Sequence, residues 1–503
     1  MADSIPLSAI LAITLAACTG SGSSPDAGLL DACDAADHEA DLRPGQLAWV
    51  RSNSSSGMAW GFGVAARDDR ESLVTGAFTE TLTLGQGESR RSLSSQGDWD
   101  AFSALYDGQG RLVWALGGGG AGVDLGASVA CLPSGDALVA GYITGTVRFE
   151  TGRAEFEMLE AEDSAVFLAR YTDGHLSWIR QVAAIDMQTF ETLQPGQSPL
   201  ELSALSDGSC WLGGRFEGVI VLGPGTAAET QIEARGEQDM FLARYDAAGA
   251  LLLAISAGGS GQTFALAVDA EPGIGCAVCG GFSATSRFGR DAEEIEVLSA
   301  GSSDAFAARY AEDGSLLWVR TAGGASALWD WCSSVGLLPD GSVLTSGDFS
   351  ATAAFGQGAS RTELSTSREH DVFLARYDAR GDLEWARQLG GYARSYGMAD
   401  LEGGSCLLAT KFFDSIEIGS QRLDSSGQAD ILILRYDASG EPIWAKRAGG
   451  VGMDLPNEIA ASQERCFHTG GLSAAATFGP GEEFETLLPS WGEWTFYLAS
   501  LGL

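Results

Sequence analysis

Five aspartates, Asp100, Asp239, Asp304, Asp371 and Asp430, recur at one equivalent position of a repeated pattern. Carboxylates presented in this way could pair for general acid–base chemistry, one protonated and the other ionised. Their placement predicts a plainer role: each stands just before an apolar stretch, where an Asp caps the turn that enters a strand. Cys276-Ala-Val-Cys279 has the spacing of a metal or redox pair. On a strand, however, residues i and i+3 point to opposite faces, and no second such pair completes a tetrahedral set. The four histidines, His38, His175, His370 and His468, fall at unlike places of different repeats and predict no cluster. The sequence holds no Walker A, HExxH or GxSxG motif. Its Gly runs, such as Gly117–Gly120, open loops rather than helices, so a phosphate cradle would lack its helix dipole. The Tyr-Asp-x-x-Gly turns lack the spacing of a calcium loop. No catalytic residue, no metal ligand and no cofactor is expected. With 67 acidic residues in the chain, a carboxylate pair of the kind a glycosidase uses cannot be picked out by inspection.

The elements that would position any site are read from the stretch Asp371–Gly391, DVFLARYDARGDLEWARQLGG. Phe373–Tyr377 alternates large apolar with outward residues at period two. Asp378–Gly381 makes a turn, and a second strand carries Leu383, Trp385 and Arg387. This is the signature of an antiparallel hairpin. Its first strand recurs at Phe102, Phe167, Phe241, Phe306, Phe373, before Tyr436, and at Tyr497. Its second recurs around Trp49, Trp114, Trp178, Leu253, Trp318, Trp385 and Trp444. The first Trp strand, Leu47–Arg51, lacks a first-type strand before it, and the last first-type strand, Tyr497–Leu501, lacks a Trp strand after it. Between hairpins lie two further strands, of the Ser333–Leu338 and Val343–Phe349 types. Each repeat thus supplies four strands, A to D in chain order, over about 65 residues. Seven such units with split ends predict an all-β fold: a seven-bladed β-propeller of four-stranded blades over residues 46–503. It would be closed by pairing of the N- and C-terminal strands in one blade. A solenoid would show unlike capping repeats instead.

The succession of an inner strand, an Asp-Gly turn, a strand ending in Gly, D-x-F-hydrophobic-A-basic, a turn and an aromatic strand ending in Gly-Gly resembles the bacterial propeller repeats called SBBP. The resemblance covers Leu47–Leu501 and implies the fold; that family has no shared catalytic residues to transfer. Sialidase propellers carry Asp boxes of the form S-x-D-x-G-x-x-W, but Asp313-Gly314 before Trp318 departs from that spacing. At the N-terminus, an apolar run at Ile5–Ala17 ends in Leu15-Ala16-Ala17-Cys18, which resembles the lipobox of bacterial lipoproteins. The resemblance implies a signal peptide over 1–17, lipidation of Cys18, and a place at the cell envelope. Thr19 stands where that family's inner-membrane retention Asp would be, so the outer membrane is expected. Residues 18–45, rich in Gly, Ser, Asp and Ala, read as a flexible tether.

Hydrophobic residues make up 45% and charged residues 19%, a globular balance, and the net charge of −37 has the wrong sign for nucleic acid. Apart from Lys411 and Lys446, every basic side chain but histidine is Arg. Those on the C and D strands are expected to bridge to nearby acids. Cys210, Cys276, Cys406 and Cys466 sit at one position of four repeats and are expected to be buried, free thiols.

With no catalytic constellation, the expected function is a monomeric, non-enzymatic scaffold. It would bind protein or glycan at the envelope and meet the membrane through its lipid alone. An envelope hydrolase or lyase, or a structural adhesion component, are the alternatives. The A–B and C–D turns are short and would share one rim. The D–A and B–C connections, longer and more varied, would form the other. One carries Met187 and Phe190, another Trp329 and Trp331, and the B–C connections hold acidic clusters such as Glu155, Glu157, Glu160 and Glu162. These aromatic and apolar residues are the candidate partner-binding positions.

Overall fold

A computed structural model describes residues 42–185, 200–290 and 293–503. The expected signal peptide, Cys18, most of the tether, Met187 and Phe190 lie outside the described residues. Strands and turns account for nearly all of what is described. The only helical pieces are single 3-10 turns such as Gly87–Ser89.

Seven antiparallel four-stranded units follow one another in the described chain. Unit 5 is representative: Trp331–Leu337 pairs with Val343–Phe349, that strand with Asp371–Tyr377, and that in turn with Leu383–Gln388. Unit 7 is assembled from both ends of the chain. Asp454–Ala461 pairs with Arg465–Leu472, which pairs with Thr495–Gly502, and the fourth strand is Leu47–Ser52. Its missing C–D turn is rebuilt from the two chain ends, where the Gly45 amide donates to the Gly502 carbonyl at 2.8 Å. The expected pairing of Leu47–Arg51 with Tyr497–Leu501 is therefore observed. Every sheet stays open; none closes on itself.

The B–C connections fold into hairpins, and these do not stand free. The first strand of such a hairpin pairs with the end of the preceding unit's D strand. Phe149 thus lies opposite Gly118, Arg287 opposite Gly258, and Thr477 opposite Gly449. Shared ladders of this kind fuse neighbouring units into sheets of up to ten strands.

The period-two strands sort their side chains between two buried interfaces, not between core and water. Phe373, Ala375 and Tyr377 pack toward unit 4, while Leu374 of the same strand packs toward unit 6. The expectation that alternate residues face outward is corrected accordingly: six of the seven residues in Asp371–Tyr377 are buried. The described residues form seven buried clusters, one between each successive pair of units, the seventh joining unit 7 to unit 1.

Two recurring contacts shape the repeat, one between neighbouring units and one within each unit. In the first, the Trp-x-Arg of a D strand receives the C–D turn of the next unit. Trp318 Nε1 donates to the Ala379 carbonyl at 3.3 Å, and Arg320 Nε to the Gly381 carbonyl at 2.7 Å. Trp49 and Arg51 repeat this on Gly108 and Gly110, at 3.0 and 2.8 Å. The turn glycine has φ near +81° at Gly381, and a Cβ there would lie 2.8 Å from the Trp318 ring, so two constraints converge on glycine. The D-strand arginines were expected to pair with acids. They spend their donors mainly on these carbonyls instead, because a turn presents three carbonyls in a row where the planar guanidinium can reach them. Arg387 does both, reaching the Ser439 carbonyl at 3.1 Å and Glu441 at 3.4 Å.

The second contact explains the repeated aspartates and the Gly pairs together. Four of the five carboxylates accept from the turn before their strand, as Asp100 does from the Gln96 amide at 2.8 Å, Asp239 from Arg235 at 2.8 Å, Asp304 from Ala300 at 2.9 Å and Asp430 from Ser426 at 3.0 Å. Each of these four lies against the D-strand glycine of its own unit. A Cβ on Gly119, Gly258, Gly323 or Gly449 would come within 1.9–2.5 Å of the facing carboxylate. Asp100, Asp239, Asp304 and Asp430 therefore cap turns, as their placement predicts, whereas Asp371 departs from the rule and accepts from the Val372 amide at 2.8 Å and the Gly390 amide at 3.1 Å.

The contact yields a paired mutational expectation. Gly258→Ala drives a methyl into Asp239, 1.9 Å from its carboxyl carbon, whereas a Cβ on Gly117 meets nothing closer than 3.7 Å. Gly258→Ala should cost about 1–3 kcal/mol of stability, the usual penalty of overpacking, and Gly117→Ala close to nothing. Thermal melting of the two variants side by side checks this; equal melting temperatures would contradict the contact.

Candidate functional site

All seven A strands border a single cavity of about 190 Å³. Each unit contributes to its wall, among others Phe62, Ser128, Glu201, Asp269, Ser334, Asp400 and Glu458. Six A–B ladders carry a bulge at the same level, for instance between Ser395 and Gly397 and between Pro456 and Glu458. A bulge re-aims a side chain that regular alternation would send into the sheet interface. Five of the six extra residues, Phe62, Leu266, Ser333, Tyr396 and Asn457, line the cavity.

Four carboxylates meet here in two pairs. Glu201 accepts from the Ser128 hydroxyl at 2.9 Å, and Glu458 from the Ile459 amide at 2.9 Å. Asp269 accepts from the Ser203 hydroxyl at 3.1 Å and the Leu337 amide at 2.8 Å, tying three units together. Burial pushes the Glu201 carboxyl well above the usual carboxylate range, and the Glu458 charge pushes it further. Asp269 moves up for the same two reasons, with Asp400 as its neighbour. Burial raises Glu458 and Asp400 as well. No Lys, Arg or His lines this cavity to offset the charge. The side chain of Asn457 is 7% exposed; its Nδ2 donates to the Gly61 carbonyl at 2.6 Å, while its Oδ1 has no partner.

Of the expected partner-binding residues, the structure brings Trp329 and Trp331 together on the D–A rim. The rings stack with centroids 4.0 Å apart and planes at 20°. His370 packs on Trp329 with centroids 4.2 Å apart and planes tilted by 30°, and the Arg394 guanidinium sits 4.1 Å over the same indole. Trp331 meets Phe264 edge-on at 5.2 Å and donates from Nε1 to the Ser303 hydroxyl at 3.1 Å. Trp331 is not in the loop, as the sequence suggested, but opens the A strand Trp331–Leu337. Both indoles are half-buried: neither core nor free. Burial, then the Arg394 charge, lowers His370 to about 4, so it stacks as neutral imidazole.

The remaining candidates do not converge. His468 is buried, within 3.2 Å of the Tyr497 hydroxyl, and burial lowers it to about 3. His175 opens a D strand and is not in the turn before it. Cys210, Cys276, Cys406 and Cys466 are buried and free, as expected. Cys276 and Cys279 face opposite interfaces, and Cys279 lies beside Cys332 of the next unit. Among the described residues, no three His, Cys, Asp or Glu side chains gather as metal ligands. Sequence reasoning missed the cavity acids. Their one signal was an acidic residue interrupting an apolar A strand, as in Leu200-Glu-Leu or Ala267-Val-Asp.

No protein-family model matches the chain. A stretch of 143 residues is 32% identical to the regulatory protein FlaEY of Caulobacter vibrioides, covering 27% of this chain and 14% of that protein. Among solved structures, a protein of unknown function from Bacteroides caccae is 11% identical over 74% of this chain and 93% of its own, with a TM-score of 0.28. The extracellular domain of the hybrid two-component system BT4673 from B. thetaiotaomicron is 9% identical over 87% and 70%, with a TM-score of 0.18. Superpositions this loose bear on neither fold nor function.

Buried aspartates outside the cavity, at the strand ends, give the protein a pH-dependent stability of definite sign. Burial raises Asp100 and Asp371 to about 6, and Asp124, Asp330 and Asp454 to about 7. A carboxyl raised in the folded state stabilises the fold below the unfolded value, near 4, and that stability is lost as pH rises through 6 to 7. The melting temperature should therefore fall between pH 5 and pH 8. Repulsion among surface acids acts in the same direction but is screened by salt. The fall should persist in about 1 M NaCl, and a flat profile there would show that the buried carboxyls are not its source.

Proposed function

We propose that this chain is a seven-bladed β-propeller, tethered to the cell envelope by lipid on Cys18, that binds protein or glycan on its D–A rim and does not transform it. Four features support the propeller reading. They are the seven four-stranded units, the buried clusters between successive units, the A strands around one cavity, and the unit built from both chain ends. The envelope location rests on the lipobox-like Leu15–Cys18 and the tether after it. Among the described residues no helix is long and apolar enough to cross a membrane.

The binding reading is carried by one observation, the ladder of buried Phe264 and half-buried Trp331 and Trp329 with Arg394 over its outer indole. Aromatic planes fixed by neighbours lose little entropy on binding and present both an apolar face and a polar edge. Sugar rings and the apolar side chains of a protein both suit such a face. A hydrolase acting at the cavity mouth would draw on Glu201 and Glu458. Acid–base chemistry of that kind needs two carboxyls whose pKa values are pushed apart, and burial pushes both of these upward.

Two measurements test the proposal. Trp329→Ala should weaken capture of envelope protein or glycan by about tenfold or more, the ordinary size of an aromatic hot spot. Changes in the short turns of the opposite rim, such as Asp340→Ala, should leave capture unchanged. The reverse pattern places the partner on the other rim. Cys18→Ala should shift the protein from the membrane fraction to the soluble one or leave an unprocessed precursor. A Cys18→Ala protein of normal size that stays in the membrane fraction refutes the lipid anchor.

A further inference from the structure

We infer that the cavity bordered by the seven A strands is a binding site for an aliphatic diammonium or polyammonium ion. The inference stands on the cavity itself and holds whether or not the rim binds a partner.

The wall carries four carboxylates and no cationic side chain. Charges of one sign gathered in a confined space are costly unless something of the opposite sign joins them. The acids lie at two levels. Measured against the B strands, Glu201 and Glu458 stand one ladder step past the positions opposite Gly214 and Gly470. Asp269 stands three steps past the position opposite Gly280, and Asp400 four steps past that opposite Thr410. The two levels are thus separated by two to three steps, about 7–10 Å at ~3.3 Å per residue. A short linear diamine holds its two ammonium groups at a comparable separation.

The upper level offers more than charge. A primary ammonium has three N–H donors and no acceptor. Glu201, Glu458 and the Oδ1 of Asn457 supply three acceptors, and that amide oxygen is buried with no other partner. Between the levels the wall is apolar, with Leu202, Val268, Met398 and Ile459 placed to cover methylene groups. Beside the upper level the rings of Phe62 and Tyr396 add a face that attracts cations. A bare metal ion suits the site less well. A calcium ion takes six to eight oxygens at close range, and no three acidic, His or Cys side chains of the described residues come together.

The test is calorimetric titration of the full chain with putrescine and with spermidine, using butylamine and calcium chloride as comparisons. The expected result is a saturable 1:1 heat for the polyamines and a melting temperature that rises with their concentration. Butylamine, with one ammonium, should bind at least about tenfold more weakly, the loss of one charge-assisted anchor. The double variant Glu201→Gln, Glu458→Gln should lose at least about as much. Should that variant fail to melt cooperatively, Asp400→Asn serves in its place. Polyamines also gather loosely on any acidic surface, so a variant with Glu155, Glu157 and Glu160 changed to Gln is the control, and it should bind as the parent does. The inference is overturned by the absence of saturable binding. Equal binding in the cavity variants, equal affinity for butylamine, or calcium binding more tightly than either polyamine each overturns it as well.

Discussion

A sheet buried on both faces cannot end at water. Every unit here sends alternate residues of its C strand into two different clusters, as Leu374 and Phe373 do, so every unit needs a neighbour on each side. An open row would leave two apolar faces wet at its ends, and the hydrophobic penalty grows with that area. The row therefore has to meet itself. Unit 7 supplies the meeting point with Leu47–Ser52 from one end of the chain and Thr495–Gly502 from the other. The cluster between units 7 and 1, built around Trp49, Phe78, Phe102 and Phe467, is as apolar as the other six.

The spacing between units follows from small local rules applied seven times. A D-strand indole lies against a turn glycine of the next unit, and an arginine ties down the carbonyls beside it. An aspartate capping one turn occupies the space where the D strand can carry only hydrogen. Where a copy departs, the contact adapts. Leu253 stands in for Trp against Gly314, and at unit 7 the glycine role passes to Gly45, close to Trp444 and Lys446. Repetition makes the scaffold rigid, and a rigid scaffold is what lets its unlike parts carry specificity.

Those unlike parts are the rim and the cavity. Both draw on positions where the repeat is least regular. The rim ladder combines Trp329, Trp331 and His370, contributed by three different segments of unit 5 and its approach, with Arg394 of unit 6. The cavity combines bulged residues with acids found in only some units. Bulges do not repeat a motif in sequence; they repeat a backbone irregularity, and each unit fills it with a different side chain.

The sequence by itself determined the repeat, the order of strands within it, the capping role of the aspartates and the pairing of the chain's two ends. These follow from period-two alternation and turn chemistry, which act over a few residues and can be read wherever they recur. Only the tertiary structure decided which side chains meet across units. Alternation marks two faces but cannot say that both are buried, so the C strands read as half-exposed. Nor could it separate Glu201, Asp269, Asp400 and Glu458 from the other acids of an acidic chain, since their convergence depends on A strands hundreds of residues apart closing around one space. The partners of the D-strand arginines were hidden for a like reason. The carbonyls they hold belong to the next unit, and a backbone carbonyl has no letter in the sequence.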